Sequence, residues 1–382
     1  MRIVIAPQSF KSSVSALTAA QAIERGVKKA LPDCETFLVP VADGGDGTLE
    51  VLVNSTGGQI FRTIVTGPLG HAVEANWGVM GDGQTAVIEM ARASGLAIVP
   101  HRRRNPRTTT TYGTGELIRH ALDRGFDRIV VGMGGSATND AGMGMASALG
   151  AKFLDGRGNT LPKGGAALAQ LERIDINGLD SRLGEVSIIG ATDVTNPLCG
   201  PTGASAIYGP QKGATPEMVT QLDSALANFA RVANRDLGID FLNEEHPGSG
   251  AAGGLGAGLM AFTNCRLQSG IDLVCEVLNF EEHIKGADLV LTGEGRADLS
   301  SIYDKAPVGV ARKAAPHGVP TMILAGSLGD GYQELYQHGI AGVVCIADRP
   351  MSFERSLSRT EELLEDTADR TVRLLLFSGG PR

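Results

Sequence analysis

The sequence has few residues of the kinds that build zinc sites or disulfide frameworks. Its five cysteines are odd in number and scattered, with no C-x-x-C pair, and its seven histidines show no H-x-x-x-H spacing. Zinc ligands usually follow such close spacings, and disulfide frameworks usually use an even number of cysteines. We therefore predict reduced cysteines that serve packing, and no zinc site.

The sequence also lacks the patterns that direct a protein to nucleic acids or membranes. Its formal net charge is −8, whereas general nucleic-acid binding needs a basic face that neutralises phosphates. No run approaches the ~18 apolar residues that a membrane-spanning helix requires. The strand-like segment 3–6 leaves no room for a signal peptide at the N-terminus. We expect a cytoplasmic protein that binds neither nucleic acid nor membrane.

Glycine, by contrast, is abundant. The chain has 52 glycines, about twice the average usage. They cluster after strand-like segments, where a residue without a side chain lets the backbone approach a ligand closely. This distribution is the first indication of phosphate chemistry.

Both ends of the chain alternate strands and helices. Residues 2–6 and 36–41 are strand-like and flank a helical pattern at 15–30, and a similar alternation runs from 288 to 346. Alternation of this kind predicts a parallel sheet with ligands at the carboxyl ends of its strands.

The middle of the chain has short strands, glycine-rich loops and longer irregular stretches. We therefore predict an α/β protein of two domains. Residues 1–66 and 283–382 would form a discontinuous Rossmann-like parallel-sheet domain, and residues 67–282 a second, inserted α/β domain.

Two loops near the N-terminus carry candidate ligand-binding groups. The lysine loop (residues 7–13) contains Lys11 among hydroxyl groups, which suits an anionic substrate or a phosphate but also an ordinary polar surface loop. The aspartate loop (residues 43–48) holds Asp43 and Asp46 on a glycine-containing backbone. Hard carboxylate oxygens suit Mg²⁺, although Asp-Gly runs also form plain turns.

The glycine loop (residues 132–144) is the strongest candidate for a phosphate cradle. It follows a predicted strand and leads into a helix, and serial backbone N–H groups at a helix start bind anions. It contains G-x-G-G, but no G-x-G-x-x-G begins at Gly132 and no G-K-[ST] follows. The loop therefore fits neither the dinucleotide fingerprint nor the Walker loop.

The arginine loop (residues 292–298) places Glu294, Arg296 and Asp298 at the end of one strand. Such a cluster suits metal–phosphate chemistry, because Mg²⁺ and a cation together neutralise charge during phosphoryl transfer. A surface salt-bridge group is the alternative interpretation.

Three further features are candidates for the site. Asp193 lies just past an apolar strand, where it could act as a base toward a substrate hydroxyl. Lys212 lies in a glycine turn, where it could reach a phosphate or simply be solvated. The segment 247–262, with Gly253 and Gly254, is interpreted as a buried helix whose N-terminus faces a ligand.

Taken together and in order, these loops resemble the bacterial glycerate kinase family. Ordered co-occurrence of so many unusual segments is far more specific than one glycine loop, and the resemblance covers essentially the whole chain. The matching stretches are residues 5–12, 40–48, 112–118, 132–150, 193–200, 208–214, 250–262, 291–298 and 305–311.

The resemblance implies transfer of the ATP γ-phosphoryl group to D-glycerate with Mg²⁺, giving 2-phosphoglycerate. A homodimer is compatible with this prediction. Asp193 would orient or deprotonate the attacking hydroxyl, and Lys11, Lys212 and Arg296 would neutralise charge. The candidate Mg²⁺ ligands are Asp43, Asp46, Glu294 and Asp298. The candidate binding residues are Ser9, Gly44, Gly45, Gly134, Gly135, Ser136, Asn139, Asp140, Gly253, Gly254, Gly293 and Lys305.

The sequence departs from the family pattern at polar positions near strand ends. Gln8 stands where the family usually has aspartate, Ser300 where it usually has glutamine, and Asp304 precedes Lys305 in place of the usual glycine. An alternative is therefore a degenerate member that binds or senses a small hydroxy acid without turnover. A nicotinamide-dependent oxidoreductase is disfavoured by the missing fingerprint.

Overall fold

The structure, a computed structural model, describes residues 1–243, 245–302 and 306–378. It confirms the predicted α/β class, because most strands pair in parallel and are connected through helices. No helix in the described parts of the chain combines the length and apolar character that crossing a membrane requires.

The strands alternate with helices along most of the chain. They are β1 (Arg2–Pro7), β2 (Glu35–Leu38), β3 (Gln59–Thr66), β4 (Ala72–Val79), β5 (Thr85–Glu89), β6 (Arg128–Gly132), β7 (Lys152–Leu154), β8 (Arg173–Asp175), β9 (Ser187–Ala191), β10 (Cys265–Gln268), β11 (Leu289–Glu294), β12 (Thr321–Ala325) and β13 (Ile340–Cys345).

The helices vary from one turn to six. They are α1 (Ala16–Ala30), α2 (Thr48–Ser55), α3 (Met90–Ser94), α4 (Tyr112–Asp123), α5 (Met143–Ala148), α6 (Ala204–Tyr208), α7 (Pro216–Leu237), α8 (Ala251–Phe262), α9 (Gly270–Val277), α10 (Phe280–Ile284), α11 (Ala306–Ala314), α12 (Phe353–Ser358) and α13 (Thr360–Ser378). Short 3-10 helices lie at His101–Arg103, Gly165–Gln170, Ser181–Gly184, Pro210–Lys212, Leu299–Ile302, Ala315–His317 and Tyr332–His338.

The chain divides into two compact units. The terminal unit comprises Met1–Asp43 and Ile271–Arg382, and the central unit comprises Gly44–Gly270. The predicted boundaries differ from this division at both junctions. Residues 44–66 belong to the central unit. Because β3 pairs with β4 along its whole length, the predicted boundary between residues 66 and 67 falls at the turn that joins these two strands.

The terminal unit is built on a parallel five-stranded sheet with the strand order β13-β12-β11-β1-β2. Alternate side chains of these strands point to opposite faces. Ile3, Ile5 and Leu291 pack with α1 and α13 on one face, whereas Ile323 and Ala325 pack with α11 on the other. The sheet is therefore covered by apolar residues on both faces, as expected for a parallel sheet.

The central unit is built on a six-stranded sheet with the strand order β10-β9-β6-β5-β4-β3. The four strands from β10 to β5 are parallel, and β5, β4 and β3 are antiparallel. Strands β7 and β8 form a separate antiparallel ribbon. One hydrophobic core, which includes Trp77 and Ile88, packs against the sheet. A second hydrophobic core includes Phe229 of α7 and Phe262 of α8.

Candidate active site

In the terminal unit the candidate residues meet at the carboxyl edge of the sheet. The chain leaves β1 toward β2 and leaves β11 toward β12, so the two loops separate at a switch point of the strand order. Open α/β sheets bind ligands at such points. A cavity of about 580 Å³ lies there, and its lining includes Gln8, Ser9, Phe10, Lys11, Asp43, Glu294, Arg296, Phe353 and Leu357.

The lysine loop presents Lys11 to solvent from a tight turn. The backbone N–H groups of Phe10 and Val14 donate to each other's carbonyl oxygens at 3.0 and 3.1 Å, and Ser12 has a φ of 63°. The buried Phe10 ring anchors this turn, since a Cβ on Gly293 would lie 3.2 Å from it. Gly293 thus serves close packing beneath the cavity, and its carbonyl accepts a hydrogen bond from the backbone N–H of Gln8.

Gln8, the first departure from the family pattern, is buried and contacts a predicted metal ligand. Its side-chain Nε2 donates to the Asp43 carboxylate at 2.7 Å. An aspartate at this position would instead set two carboxylates against each other.

The arginine loop brings its three charged residues to the same strand end. The Glu294 side chain is buried and faces the cavity, and the exposed Arg296 is 3.0 Å from the Asp298 carboxylate. Ser300, the second departure, donates to the Asp298 Oδ1 from both its hydroxyl and its backbone N–H. Asp298 is therefore shared between Arg296 and Ser300. Lys305 and Asp304 lie outside the described residues.

In the central unit the carboxyl ends of four parallel strands form a second edge. The strand pairing aligns Glu89, Gly132, Ala191 and Gln268 in one row across β5, β6, β9 and β10. The loops that follow these residues are therefore neighbours.

The glycine loop and the aspartate loop pack backbone against backbone at this edge. The Gly134 N–H donates to the Gly44 carbonyl at 3.0 Å, and a Cβ on Gly134 would lie 2.4 Å from the Gly45 Cα. Gly135 is exposed with a φ of 73°, and the Asp46 carboxylate lies beside it. This contact needs glycine because any side chain would separate the two loops.

Glu89 and Arg92, which the sequence patterns did not single out, support this edge. The buried Glu89 carboxylate accepts hydrogen bonds from the N–H groups of Gly47 and Leu49 at 2.9 Å each, which holds the start of α2. Arg92 bridges Glu89 and Glu50 at 2.7 and 2.6 Å. Burial raises the pKa of the Glu89 carboxyl, with Arg92 opposing the shift. The one signal in the sequence that could have identified Glu89 is its position as a carboxylate at the end of an apolar strand.

Asp193 lies at the same edge, two residues past β9. It is half-buried, and the Ser269 hydroxyl, which follows β10, donates to its Oδ1 at 2.6 Å. Gly44 packs over the end of β9, since a Cβ there would lie 2.5 Å from the Ala191 carbonyl oxygen. Asp193 is therefore close to the aspartate loop and the glycine loop.

The second half of the glycine loop is interior. The Asp140 carboxylate is fully buried and accepts hydrogen bonds from Thr111 and from the N–H groups of Gly142 and Gly144. Burial raises the pKa of this carboxyl, with those hydrogen bonds opposing the shift. Asn139 donates to the Ser205 hydroxyl at 2.9 Å. The structure thus gives both residues a supporting place within the loop, whereas Gly134 and Gly135 reach the surface.

Two other predicted ligand-binding features also contact the loop from inside. The Lys212 ammonium donates to the Thr138 carbonyl oxygen at 2.7 Å, and only 1% of the residue is exposed. Gly253 and Gly254 are buried with φ of 74° and 86°, so α8 begins with a left-handed turn that packs on residues 138–141. Ser136 is also buried.

Of the four predicted Mg²⁺ ligands, Asp43, Glu294 and Asp298 belong to the terminal unit and Asp46 belongs to the central unit. Among the described residues, no three His, Cys, Asp or Glu side chains are placed to hold a metal ion together. Asp43 and Glu294 line one cavity, whereas Asp46 lies beside Gly135 in the central unit. Mg²⁺ that is also bound by phosphate oxygens usually needs only one or two carboxylates.

Comparison with known proteins finds similarity along nearly the whole chain. The model of the "Glycerate kinase family" matches residues 3–376. The chain is 50% identical to a glycerate kinase of Bacillus subtilis strain 168 over 96% of both chains, and 52% identical to a glycerate 2-kinase of Escherichia coli strain K12 over 91% of this chain and 90% of that one.

A solved structure extends the similarity to the fold. The crystal structure of a Salmonella typhimurium LT2 protein named for glycerate kinase 2 superposes with a TM-score of 0.86 at 48% identity, covering 99% of both chains. These similarities confirm the resemblance seen in the sequence motifs. The chain therefore belongs to the glycerate kinase family and is a kinase.

Proposed function

We propose that the protein transfers the γ-phosphoryl group of ATP to D-glycerate with Mg²⁺, giving 2-phosphoglycerate. The observation that carries the proposal is the cavity of the terminal unit, where the cations Lys11 and Arg296 line the same space as the carboxylates of Asp43 and Glu294. Phosphoryl transfer needs this combination, because its catalysis consists of positioning and charge neutralisation. The names of the relatives supply glycerate as substrate, and the Escherichia coli relative supplies the 2-position.

The carboxylates in this cavity fit a magnesium ion. Asp43 and Glu294 offer hard oxygen ligands, and one or two such groups suffice when phosphate oxygens complete the coordination. These two residues would hold the ion, which would supply positive charge to the transferred phosphoryl group. Lys11 and Arg296 are long, exposed cations that neutralise the substrate carboxylate and the phosphate oxygens.

Asp193 is the proposed base. Its carboxylate accepts the proton of the attacking hydroxyl, and the Ser269 hydroxyl fixes its orientation by donating to Oδ1. The exposed backbone at Gly135 binds phosphate oxygens through its N–H group, as glycine-rich turns do in other phosphate sites.

The experiment is an ADP-release assay with D-glycerate and MgATP, followed by NMR assignment of the phosphorylated carbon. We expect turnover that excess EDTA abolishes, and phosphate on C2. Asp193→Asn should lower kcat about 10²- to 10⁴-fold, the usual contribution of a general base, while changing the KM for D-glycerate much less. Ser269→Ala, which removes only the hydroxyl that orients Asp193, is the control and should lower kcat less. Unchanged kcat in Asp193→Asn would remove Asp193 from the mechanism.

The same assay decides the rival function. Gln8 motivates a family member that binds a small hydroxy acid without turning it over, because it replaces a usual carboxylate in the cavity. Calorimetric binding of D-glycerate without ADP release would favour that function. We further propose a cytoplasmic homodimer, which light scattering and cell fractionation would test.

A further inference from the structure

Lys212 occupies a place that neither alternative from the sequence anticipated. It ends the 3-10 helix Pro210–Lys212, and 1% of it is exposed. Its ammonium neither reaches solvent nor lines the surface of the glycine loop. It donates instead to the carbonyl oxygen of Thr138, inside the loop, at 2.7 Å.

The Thr138 carbonyl is a point where several segments meet. A Cβ on Gly253 would lie 2.0 Å from this oxygen, so the turn before α8 packs directly on it. The next two side chains, Asn139 and Asp140, are fixed by hydrogen bonds to Ser205 and Thr111. Three residues before Thr138, the loop is exposed at Gly135. Whatever holds Thr138 therefore limits how the exposed stretch can move.

Holding a carbonyl group with a buried lysine is energetically unfavourable. Burial of an ammonium is unfavourable, and replacing buried charges by apolar side chains is often neutral or stabilising. Burial lowers the pKa of Lys212 to about 7, with the negative charge of Asp140 opposing the shift. Gly213, which follows Lys212, packs against the backbone of Arg104. A residue that costs stability in a packed interior points to a functional role.

We propose that Lys212 is a positioning residue for phosphoryl transfer, which holds the Thr138 carbonyl from inside the glycine loop and so fixes the exposed backbone at Gly135 for the phosphates of the nucleotide. The inference rests on the proposed function, in which this loop binds phosphate. Lys212 itself does not touch the ligand.

The test compares Lys212→Met with Lys152→Met, which replaces an exposed lysine of the same unit. Loss of a hydrogen bond from a charged donor corresponds to about 10- to 100-fold in an equilibrium or rate constant. We expect kcat/KM for MgATP to fall by about that factor in Lys212→Met, chiefly through KM, with the KM for D-glycerate unchanged. Amide hydrogen exchange over residues 133–138 should become faster at the same time. Lys152→Met should match the wild type in both measurements.

Three outcomes would overturn the inference. The first is a Lys212→Met protein with wild-type kinetics. The second is a loss confined to kcat with unchanged loop exchange, which would make Lys212 a direct contact of the transferred group. The third is global unfolding, shown by loss of exchange protection in β5 and β6 as well as in the loop.

Failure of the proposed function would look different. A wild type that binds MgATP without turnover would remove the proposed reaction, and the inference would then be decided by nucleotide affinity, which should be about 10- to 100-fold weaker in Lys212→Met. A wild type that binds no nucleotide would overturn both.

Discussion

Gln8 shows how one residue sets the charge of the cavity in the terminal unit. Its amide N–H donates to the Asp43 carboxylate, so this corner carries one negative charge where the family's usual aspartate would give two. Two carboxylates at hydrogen-bond distance cannot both ionise without a cation between them. Glutamine therefore keeps the corner stable when no metal is bound.

Gln8→Asp should make the stability of the protein depend on Mg²⁺. We expect Mg²⁺ to raise the Tm of this variant more than that of the wild type, because the ion relieves the repulsion between the two carboxylates. Gln8→Asn is the matched control, since it has the same size as the aspartate without its charge. Equal Mg²⁺ shifts in the three proteins, measured by thermal unfolding, would show that position 8 and Asp43 do not share a cation.

The burial of Lys212 leads us to expect a specific pH dependence of the free energy of unfolding. Its pKa is lowered from 10.5 to about 7 in the folded state, so between these values the unfolded chain binds more protons than the folded one. The free energy of unfolding therefore rises with pH in this window, by at most about 1.4 kcal/mol per pH unit, and the full cost of the buried charge is present below about pH 7.

Lys212→Met removes this contribution. The stability of the variant relative to the wild type, measured as the difference in free energy of unfolding, should increase as the pH falls from about 10 to about 7. Denaturant titrations at several pH values would measure it. If the free energy of unfolding depended on pH in the same way in both proteins, the pKa of Lys212 would not be lowered as its burial indicates.

At the scale of elements, two loops at the carboxyl edge of the central sheet, the aspartate loop and the glycine loop, contact each other through main-chain atoms. The Glu89 carboxylate fixes the start of α2 after the aspartate loop, and the glycine loop then lies against Gly44 and Gly45. Because the contacting atoms are main-chain atoms, they cannot turn aside as a flexible side chain would.

Gly134→Ala should therefore separate the loops. Its Cβ would lie 2.4 Å from the Gly45 Cα, so we expect a loss of about 1–3 kcal/mol in the free energy of unfolding, as for other overpacked sites, and a large fall in kcat/KM. Gly184→Ala is the control, because no atom lies within 4 Å of its Cβ position. Urea unfolding and ADP release would measure both effects. Equal behaviour of the two variants would contradict the close approach.

At the scale of the whole molecule, the terminal unit closes the chain on itself. β1 from the N-terminus pairs with β11 from the C-terminal region, and α1 packs against α13. The packing is tight at Gly26, where a Cβ would lie 2.0 Å from the Glu365 carbonyl oxygen. The two chain ends therefore stabilise one unit together.

Gly26→Ala should weaken this closure. We expect the free energy of unfolding to fall by about 1–3 kcal/mol because the backbone of α13 must move away from α1. Gln21→Ala, on the exposed side of the same helix, should change it little. Denaturant unfolding of both variants gives the comparison, and a neutral Gly26→Ala would show that the two helices have room to adjust.

The sequence by itself determined the α/β class, most strands and the loops that carry the candidate site. The strand β1 and the helix α1 follow the predicted bounds of 2–6 and 15–30 closely, because hydrophobic periodicity and glycine after strands are local properties of the chain. The motif resemblance, covering nearly the whole chain, supplied the family.

Only the tertiary structure decided which candidate residues are accessible. Asp140 and Lys212 look like surface groups in the sequence, yet both are buried. Segments distant in sequence meet there: Thr111 donates to the Asp140 carboxylate, α8 packs on residues 138–141, and the Lys212 ammonium reaches the Thr138 carbonyl. The predicted domain boundary between residues 66 and 67 likewise falls inside a hairpin, because β3 pairs with β4. Burial and pairing depend on partners far along the chain, and no local pattern contains those partners.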